Sequence, residues 1–91
     1  MTVTFHTPEY VHWKRFDSDL VVLNLGNGQY YGLNDVGAEA FERLATGSSR
    51  SDVAQALLEL YAVDRPTVEA DLERLLATCL EQGLLIARST G

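Results

Sequence analysis

The sequence is poor in several residue types, and each shortage excludes a class of protein. The single cysteine, Cys79, cannot form an internal disulfide, so nothing indicates a secreted, disulfide-stabilised chain. Lys14 is the only lysine among seven basic residues, against thirteen acidic residues, and the formal net charge is −6. Proteins that bind phosphate backbones normally present a basic face, so a nucleic-acid partner is disfavoured.

Long apolar runs and clusters of metal-binding residues are also lacking. No segment approaches the roughly 18 apolar residues of a membrane span, and the N-terminus has no basic region followed by an apolar one. We therefore expect a cytoplasmic protein without membrane contacts. His6 and His12 have no cysteine nearby, Cys79 has no histidine in its helix, and the carboxylates are scattered. This predicts a protein that is not an enzyme, with no catalytic residues, no metal and no cofactor.

What the sequence does contain fits one small globular domain over residues 1–91, with 46% apolar and 22% charged residues. The alternation of apolar residues predicts strands, and the 3.6-residue period predicts helices. Asn34 or Asp35 can cap the first helix, and Ser51 can cap the second. The predicted strands are 10–16, 20–25 and 29–33, with a tentative strand at 2–5 and a short strand or wing-like extension at 84–86. The predicted helices are 35–46, 51–61 and 65–82, and residues 88–91 are expected to fray.

The hairpin formed by the second and third of these strands decides which side chains face the core. Residues 20–25 alternate, and the face with Val21, Leu23 and Leu25 is the more apolar one. A two-residue loop would leave Leu33 in water. A three-residue loop, with Gly28 in the left-handed conformation, pairs Leu23 with Tyr31 and Val21 with Leu33. We prefer this register because it buries Leu33; it also directs Tyr31 inward and Tyr30 outward.

The predicted order of three strands followed by three helices resembles a winged helix-turn-helix, which raises the question of DNA binding. The apolar positions of the third helix are Val68, Leu72, Leu75, Leu76, Cys79 and Leu80. Between Asp64 and Gly83 five acidic residues stand against two arginines, so this helix would meet phosphates with like charge. DNA recognition by this helix is rejected.

The last strand of the predicted sheet, residues 29–33, has a free edge. Unpaired backbone groups along such an edge can accept an extended peptide as a further strand. The alternative is an ordinary edge that twist or a covering helix protects, and composition alone favours this alternative about three to one, since every open sheet has edges.

The run LVVLNLGNGQYYGLNDVGAEAF and the later LEQGLL resemble the PqqD family, also called the RiPP recognition element. Within this family the similarity is to the stand-alone leader-recognition proteins of lasso-peptide biosynthesis. It covers Leu20 to Leu85, and its most specific parts are the hairpin, Tyr30 to Asn34, Gly37 and Gly83 to Leu85.

This resemblance implies an α+β fold, a three-stranded antiparallel sheet packed on three helices, and a binding function without enzymatic activity. The precursor's leader peptide would add as a fourth strand, antiparallel to residues 29–33, in a cleft closed by the third helix. Tyr31, Leu72 and Leu75 would form a pocket for an aromatic or proline anchor, and Asp71 and Arg74 would select charges. The implied leader-binding residues are Gln29, Tyr30, Tyr31, Gly32, Leu33, Val68, Asp71, Leu72, Arg74, Leu75, Thr78 and Cys79.

The resemblance also implies partners. A separate cysteine leader peptidase would cut the presented leader, and a lasso cyclase is a candidate further partner. The outer sheet face, expected to carry His12, Asn24 and Tyr30, is our choice for the peptidase surface. Three alternatives stay open: a peptide chaperone of a pyrroloquinoline-quinone (PQQ)-type or radical-enzyme pathway, a dimeric winged-helix regulator, and a dimer formed by pairing of the exposed strand edge with itself.

Overall fold

A computed structural model describes residues 2–90 and contains five strands and three helices in this part of the chain. The sheet formed by β2, β3 and β4 precedes the helices, which confirms the predicted α+β class with a three-stranded antiparallel sheet followed by three helices. The elements are β1 (Thr2–His6), β2 (Val11–Phe16), β3 (Asp19–Asn24), β4 (Gln29–Leu33), α1 (Asp35–Ala45), α2 (Arg50–Leu60), α3 (Arg65–Glu81) and β5 (Ile86–Thr90).

The inner face of β3 is opposite to the predicted one. Leu20 is 0% exposed, Val22 is fully buried as well, and Leu25 is 58% exposed, so the expectation that Val21, Leu23 and Leu25 face the core is wrong. Residues 20–23 are all apolar, so either face of β3 could pack against the core. Only the residues at the end of the strand, Asn24 and Leu25, could distinguish the two faces.

The end of β3 indicated the wrong core face because a polar residue, Asn24, occupies the inner position there. Asn24 is 4% exposed. Its Oδ1 accepts a hydrogen bond from Gly26 N at 2.8 Å, and its Nδ2 donates to the backbone carbonyl of Gln82 at 3.4 Å. These partners replace water and allow the amide to be buried. The expectation that Asn24 lies on the outer sheet face is therefore wrong.

The hairpin loop is one residue longer than predicted. It comprises residues 25–28, with Gly28 N donating to the carbonyl of Asn24 at 2.8 Å, and Gly28 has the predicted left-handed conformation at φ 75°. Tyr31 pairs with Val22 and Leu33 pairs with Leu20, so the predicted pairs are wrong. The errors in face and in loop length each amount to one residue and cancel each other. Tyr31 and Leu33 pack against the core and Tyr30 is 74% exposed, as predicted.

Helix α1 packs against the inner face of the sheet. Phe41 is fully buried and meets the Trp13 ring edge-on, with 5.7 Å between ring centroids. Arg15 on β2 forms ion pairs with Glu42 and, at 3.6 Å, with Glu39 of the same helix. The sheet and α1 are thus joined by apolar packing in the centre and by charges at the edge.

Side-chain caps define where the helices begin. Asn34 Oδ1 accepts from Gly37 N at 3.1 Å, which confirms one of the two predicted caps of α1. Ser49 caps α2, two residues before the predicted Ser51. Asp64 caps α3, and the hydrogen bonds from Thr67 hold the pKa of Asp64 below its ordinary value. Gly83, at φ 73°, follows the end of α3 as predicted.

The tentative strand at 2–5 is confirmed as β1, and it pairs antiparallel with β5 in a separate two-stranded sheet. Of the predicted strand at 84–86, only Ile86 belongs to β5, because Leu84 and Leu85 are buried at the turn after α3. The expectation of a frayed end is wrong for residues 88–90, which pair with β1; Gly91 lies outside the described residues.

The inner face of β3 can be tested with two leucines of the same hairpin. Leu20→Ala removes a fully buried side chain and should lower the free energy of unfolding by about 2–5 kcal/mol. Leu25→Ala is the matched control at a mostly exposed position and should change it by about 0.5 kcal/mol or less. Urea unfolding of both variants measures the difference, and the reverse order of effects would restore the predicted face.

Candidate peptide-binding groove

Strand β4 is an edge strand in the sheet that the structure describes. It pairs with β3 on one side only, since the strand order is β2, β3, β4. Alternate residues of an antiparallel strand direct both the N–H and the C=O to the same side. Part of the backbone of residues 29–33 therefore presents unpaired donors and acceptors along the free edge.

A groove with a cavity of about 440 Å³ opens at the C-terminal end of this edge, between Leu33 and the exposed side of α3. Apolar side chains from all three helices form most of it, and Asp71 and Arg74 supply charge. Its lining comprises Leu33, Asn34, Val36, Gly37, Ala40, Leu57, Val63, Asp71, Leu72, Arg74, Leu75 and Thr78.

The predicted binding residues separate into three groups in the structure. Six of them line the cavity: Leu33, Asp71, Leu72, Arg74, Leu75 and Thr78. Four others, Gln29, Tyr30, Tyr31 and Gly32, lie along the edge of β4 outside the cavity. Val68 and Cys79 are buried in the core, each 2% exposed, and neither belongs to the cavity lining.

Half of the cavity lining was missed from the sequence. These six residues come from the start of α1, from α2 and from the segment before α3: Asn34, Val36, Gly37, Ala40, Leu57 and Val63. The nearest signal was chain continuity, because only Asn34 separates β4 from α1, so the first turn of α1 must lie at the end of the edge strand. An added Cβ on Gly37 would lie 3.4 Å from Asn34 Oδ1 and 3.6 Å from the Leu33 side chain, which are ordinary contact distances, so the turn does not require glycine at this position.

The other end of the edge strand is joined to α3 by polar groups. The Tyr31 hydroxyl lies 2.8 Å from Gln29 Oε1 and 3.0 Å from Gln82 Oε1. Gln82 is the residue that ends α3. Tyr31 is thus not part of the cavity with Leu72 and Leu75 but lies beside it, where β4 and α3 are held together.

The charged side chains at the groove are exposed and form only a weak ion pair with each other. Asp71 Oδ1 and Arg74 Nη1 are 3.5 Å apart, with side chains that are 50% and 76% exposed. Ion pairs on an open surface contribute about 0–1 kcal/mol, so either group can exchange its partner for a charge on a ligand at little cost.

Comparisons with known proteins show the family of this chain. The family model for the coenzyme PQQ synthesis protein D (PqqD) matches residues 19–85. The chain belongs to the PqqD family. No curated protein matches it in sequence.

Two solved structures extend the PqqD assignment. The TbiB1 structure in complex with the TbiA(beta) leader peptide is 34% identical, with a TM-score of 0.80, and the match covers 88% of this chain and 93% of that one. A lasso peptide synthetase B1, complexed with the leader peptide, is 33% identical with a TM-score of 0.80, and the match covers 90% of this chain and 96% of that one. The predicted similarity to leader-binding proteins of lasso-peptide biosynthesis is confirmed.

Two further findings concern residues 2–90 of this PqqD family member. This part of the chain holds no group of three or more His, Cys, Asp or Glu residues that could bind a metal ion. None of its helices combines the length and the apolar character that crossing a membrane requires.

The reactivity of Cys79 measures whether the buried face of α3 stays packed against the core. Burial raises the pKa of its thiol from 9.0 to about 11, because the apolar surroundings disfavour the thiolate. At pH 8 the native protein should therefore hold about a hundredfold less thiolate than the unfolded chain. Labelling with an aromatic disulfide reagent should be at least about a hundredfold slower in buffer than in urea. Cys79 is the only cysteine in the chain, and rapid labelling of the native protein would show that α3 opens.

Proposed function

We propose that this protein binds the leader peptide of a ribosomally made precursor as a fourth strand on β4, antiparallel to it, and presents the leader to a separate peptidase without catalysing a reaction itself. The observation that carries the proposal is the position of an apolar cavity at the end of an unpaired strand edge. The two similar structures, both complexes with a leader peptide, support it.

Binding requires both parts of this arrangement. Backbone pairing along residues 29–33 fixes the direction of a peptide but is nearly independent of its sequence. The cavity is large enough for one bulky apolar side chain, lined by Leu33, Leu72 and Leu75. An extended peptide loses conformational entropy when it orders, so this buried anchor must supply much of the affinity.

A cysteine leader peptidase and a lasso cyclase are the proposed partners. The outer face of the sheet stays available for them while a leader occupies the edge. This face carries His12, Leu23 and Tyr30 in one cross-strand row, with Tyr30 mostly exposed. An amphipathic aromatic side chain of this kind is favoured at protein interfaces.

A peptide chaperone of the PQQ pathway is the second candidate, because the matching family model describes a coenzyme PQQ synthesis protein. The same groove serves either function, and only the ligand discriminates them. Titration with the TbiA(beta) leader peptide and with a precursor peptide of the PQQ pathway compares the two. Tighter binding of the PQQ precursor would favour the second candidate.

Two leucines of α3 test the groove. Leu75→Asp places a carboxylate in the cavity lining and should abolish binding of the TbiA(beta) leader peptide, measured by fluorescence anisotropy. Leu80→Asp is the matched control, since Leu80, contrary to its prediction as an apolar-face position, is 43% exposed and lies outside the cavity lining. It should bind like the parent protein. Circular dichroism verifies that both variants fold, and unchanged affinity of folded Leu75→Asp would refute the groove.

Strand addition makes a separate prediction about the backbone. Bound leader peptide should slow the exchange of the free-edge amides of β4, because each gains a hydrogen-bond partner. The outer edge of β2, which is the other edge of the same sheet, provides the internal control and should be unaffected. Hydrogen exchange followed by NMR resolves these amides one by one. Protection on β2 in place of β4 would show that the peptide binds the opposite edge.

A further inference from the structure

The groove is not uniform along its length. At Leu33 it contains the apolar cavity, whereas near Tyr31 the edge strand is joined to the end of α3 by the hydroxyl and the Gln29 and Gln82 side chains. We name these three residues the polar clamp. We infer that the polar clamp is a second specificity site, which selects a small or hydrogen-bonding leader side chain two positions C-terminal to the apolar anchor. This inference rests on the proposed function.

Strand geometry fixes the spacing. Leu33 and Tyr31 are two residues apart on the inner face of β4, which is about 7 Å along the strand. In an antiparallel pair, the residue opposite Tyr31 is two positions C-terminal to the one opposite Leu33, and both point to the inner face. When the first residue enters the cavity, the second therefore lies against the polar clamp.

The chemistry of the polar clamp favours a polar neighbour. The Tyr31 hydroxyl has one proton and lies within hydrogen-bonding distance of two amide oxygens, so it can donate to only one of them at a time. An amide NH₂ group can equally donate to the hydroxyl oxygen, so in the satisfied arrangement the hydroxyl donates to one glutamine oxygen and accepts from the NH₂ of the other, and one NH₂ group and one amide oxygen stay available to a ligand. A Ser, Thr, Asn or Gln side chain can pair with these groups, whereas a large apolar one would cover them without replacing the water they lose.

The backbone of Gln82 is held at the position where the polar clamp would act. Its carbonyl accepts a hydrogen bond from the buried Asn24 side chain at 3.4 Å, and its backbone N donates to the Thr78 carbonyl at 2.9 Å. Moving this end of α3 away from β4 would therefore disrupt the buried Asn24 contact.

The experiment uses a random-peptide display library selected against four proteins, with the bound peptides sequenced. These are the parent protein, Tyr31→Phe, which keeps the ring and removes the hydroxyl, Gln82→Leu, and the control Gln55→Leu on the exposed face of α2. Peptides from the parent should share an apolar anchor and a small or polar residue two positions after it. Tyr31→Phe and Gln82→Leu should keep the anchor and accept leucine at the second position, while Gln55→Leu should select like the parent.

A quantitative arm uses one selected peptide and its leucine variant at the second position. The parent and Gln55→Leu should bind the leucine variant about 5- to 10-fold more weakly, and Gln82→Leu should bind both within about twofold. Equal selectivity of all four proteins, with binding retained, would overturn the inference and leave the proposed function intact. If the parent enriches no peptide, the proposed function fails and the inference fails with it.

Discussion

The buried amide of Asn24 is the interaction on which the rest of the structure depends. It joins the hairpin loop, through Gly26 N, to the end of α3, through the Gln82 carbonyl. A register slip by one residue would turn Asn24 to the outer face, break its contact with the Gln82 carbonyl and expose Leu20 and Val22. Its burial therefore fixes the inner face of β3, and through the ladder it fixes Tyr31 and Leu33 on the inner face of β4.

The same end of α3 borders the edge of β4. Gln82 joins the helix to the hairpin, whereas Thr78, Leu75 and Asp71 line the cavity at Leu33 instead of filling it. An exposed edge and an unfilled apolar cavity both reduce stability, which is a substantial loss for a domain of this size. The gain is a binding surface that exists before the ligand arrives, so only the peptide has to become ordered.

The sequence predicted the elements well because each has a local cause. Apolar periodicity, the left-handed Gly28 and the cap at Asn34 placed all three helices and the three main strands within one residue at each end. The core face of β3 could not be predicted, because the choice between Asn24 and Leu25 depends on a tertiary partner 58 residues away.

The prediction of the groove was incomplete for the same reason. The family resemblance implied that α3 forms one wall, with Leu72 and Leu75 in its lining, but Val36, Leu57 and Val63 reach the cavity only through packing between helices. The pairing of β1 with β5 joins the two ends of the described chain and has no local signal at all. Local patterns therefore identified the edge strand, the resemblance implied one wall of the groove, and tertiary packing supplied the other wall.

Selectivity in such a groove must come from few side chains. A backbone ladder accepts almost any extended peptide, and the exposed Asp71–Arg74 pair discriminates weakly because water screens it. The net charge of −6 acts at longer range, where it speeds the approach of basic peptides and slows acidic ones, but it cannot define a register. Register can be set only where shape changes along the edge, and β4 has one such change, from the apolar cavity at Leu33 to the hydrogen-bonded Tyr31 hydroxyl. A peptide that slipped by two residues along the ladder would place its apolar anchor against polar groups and leave the cavity empty, so the contrast between the two ends penalises every register but one.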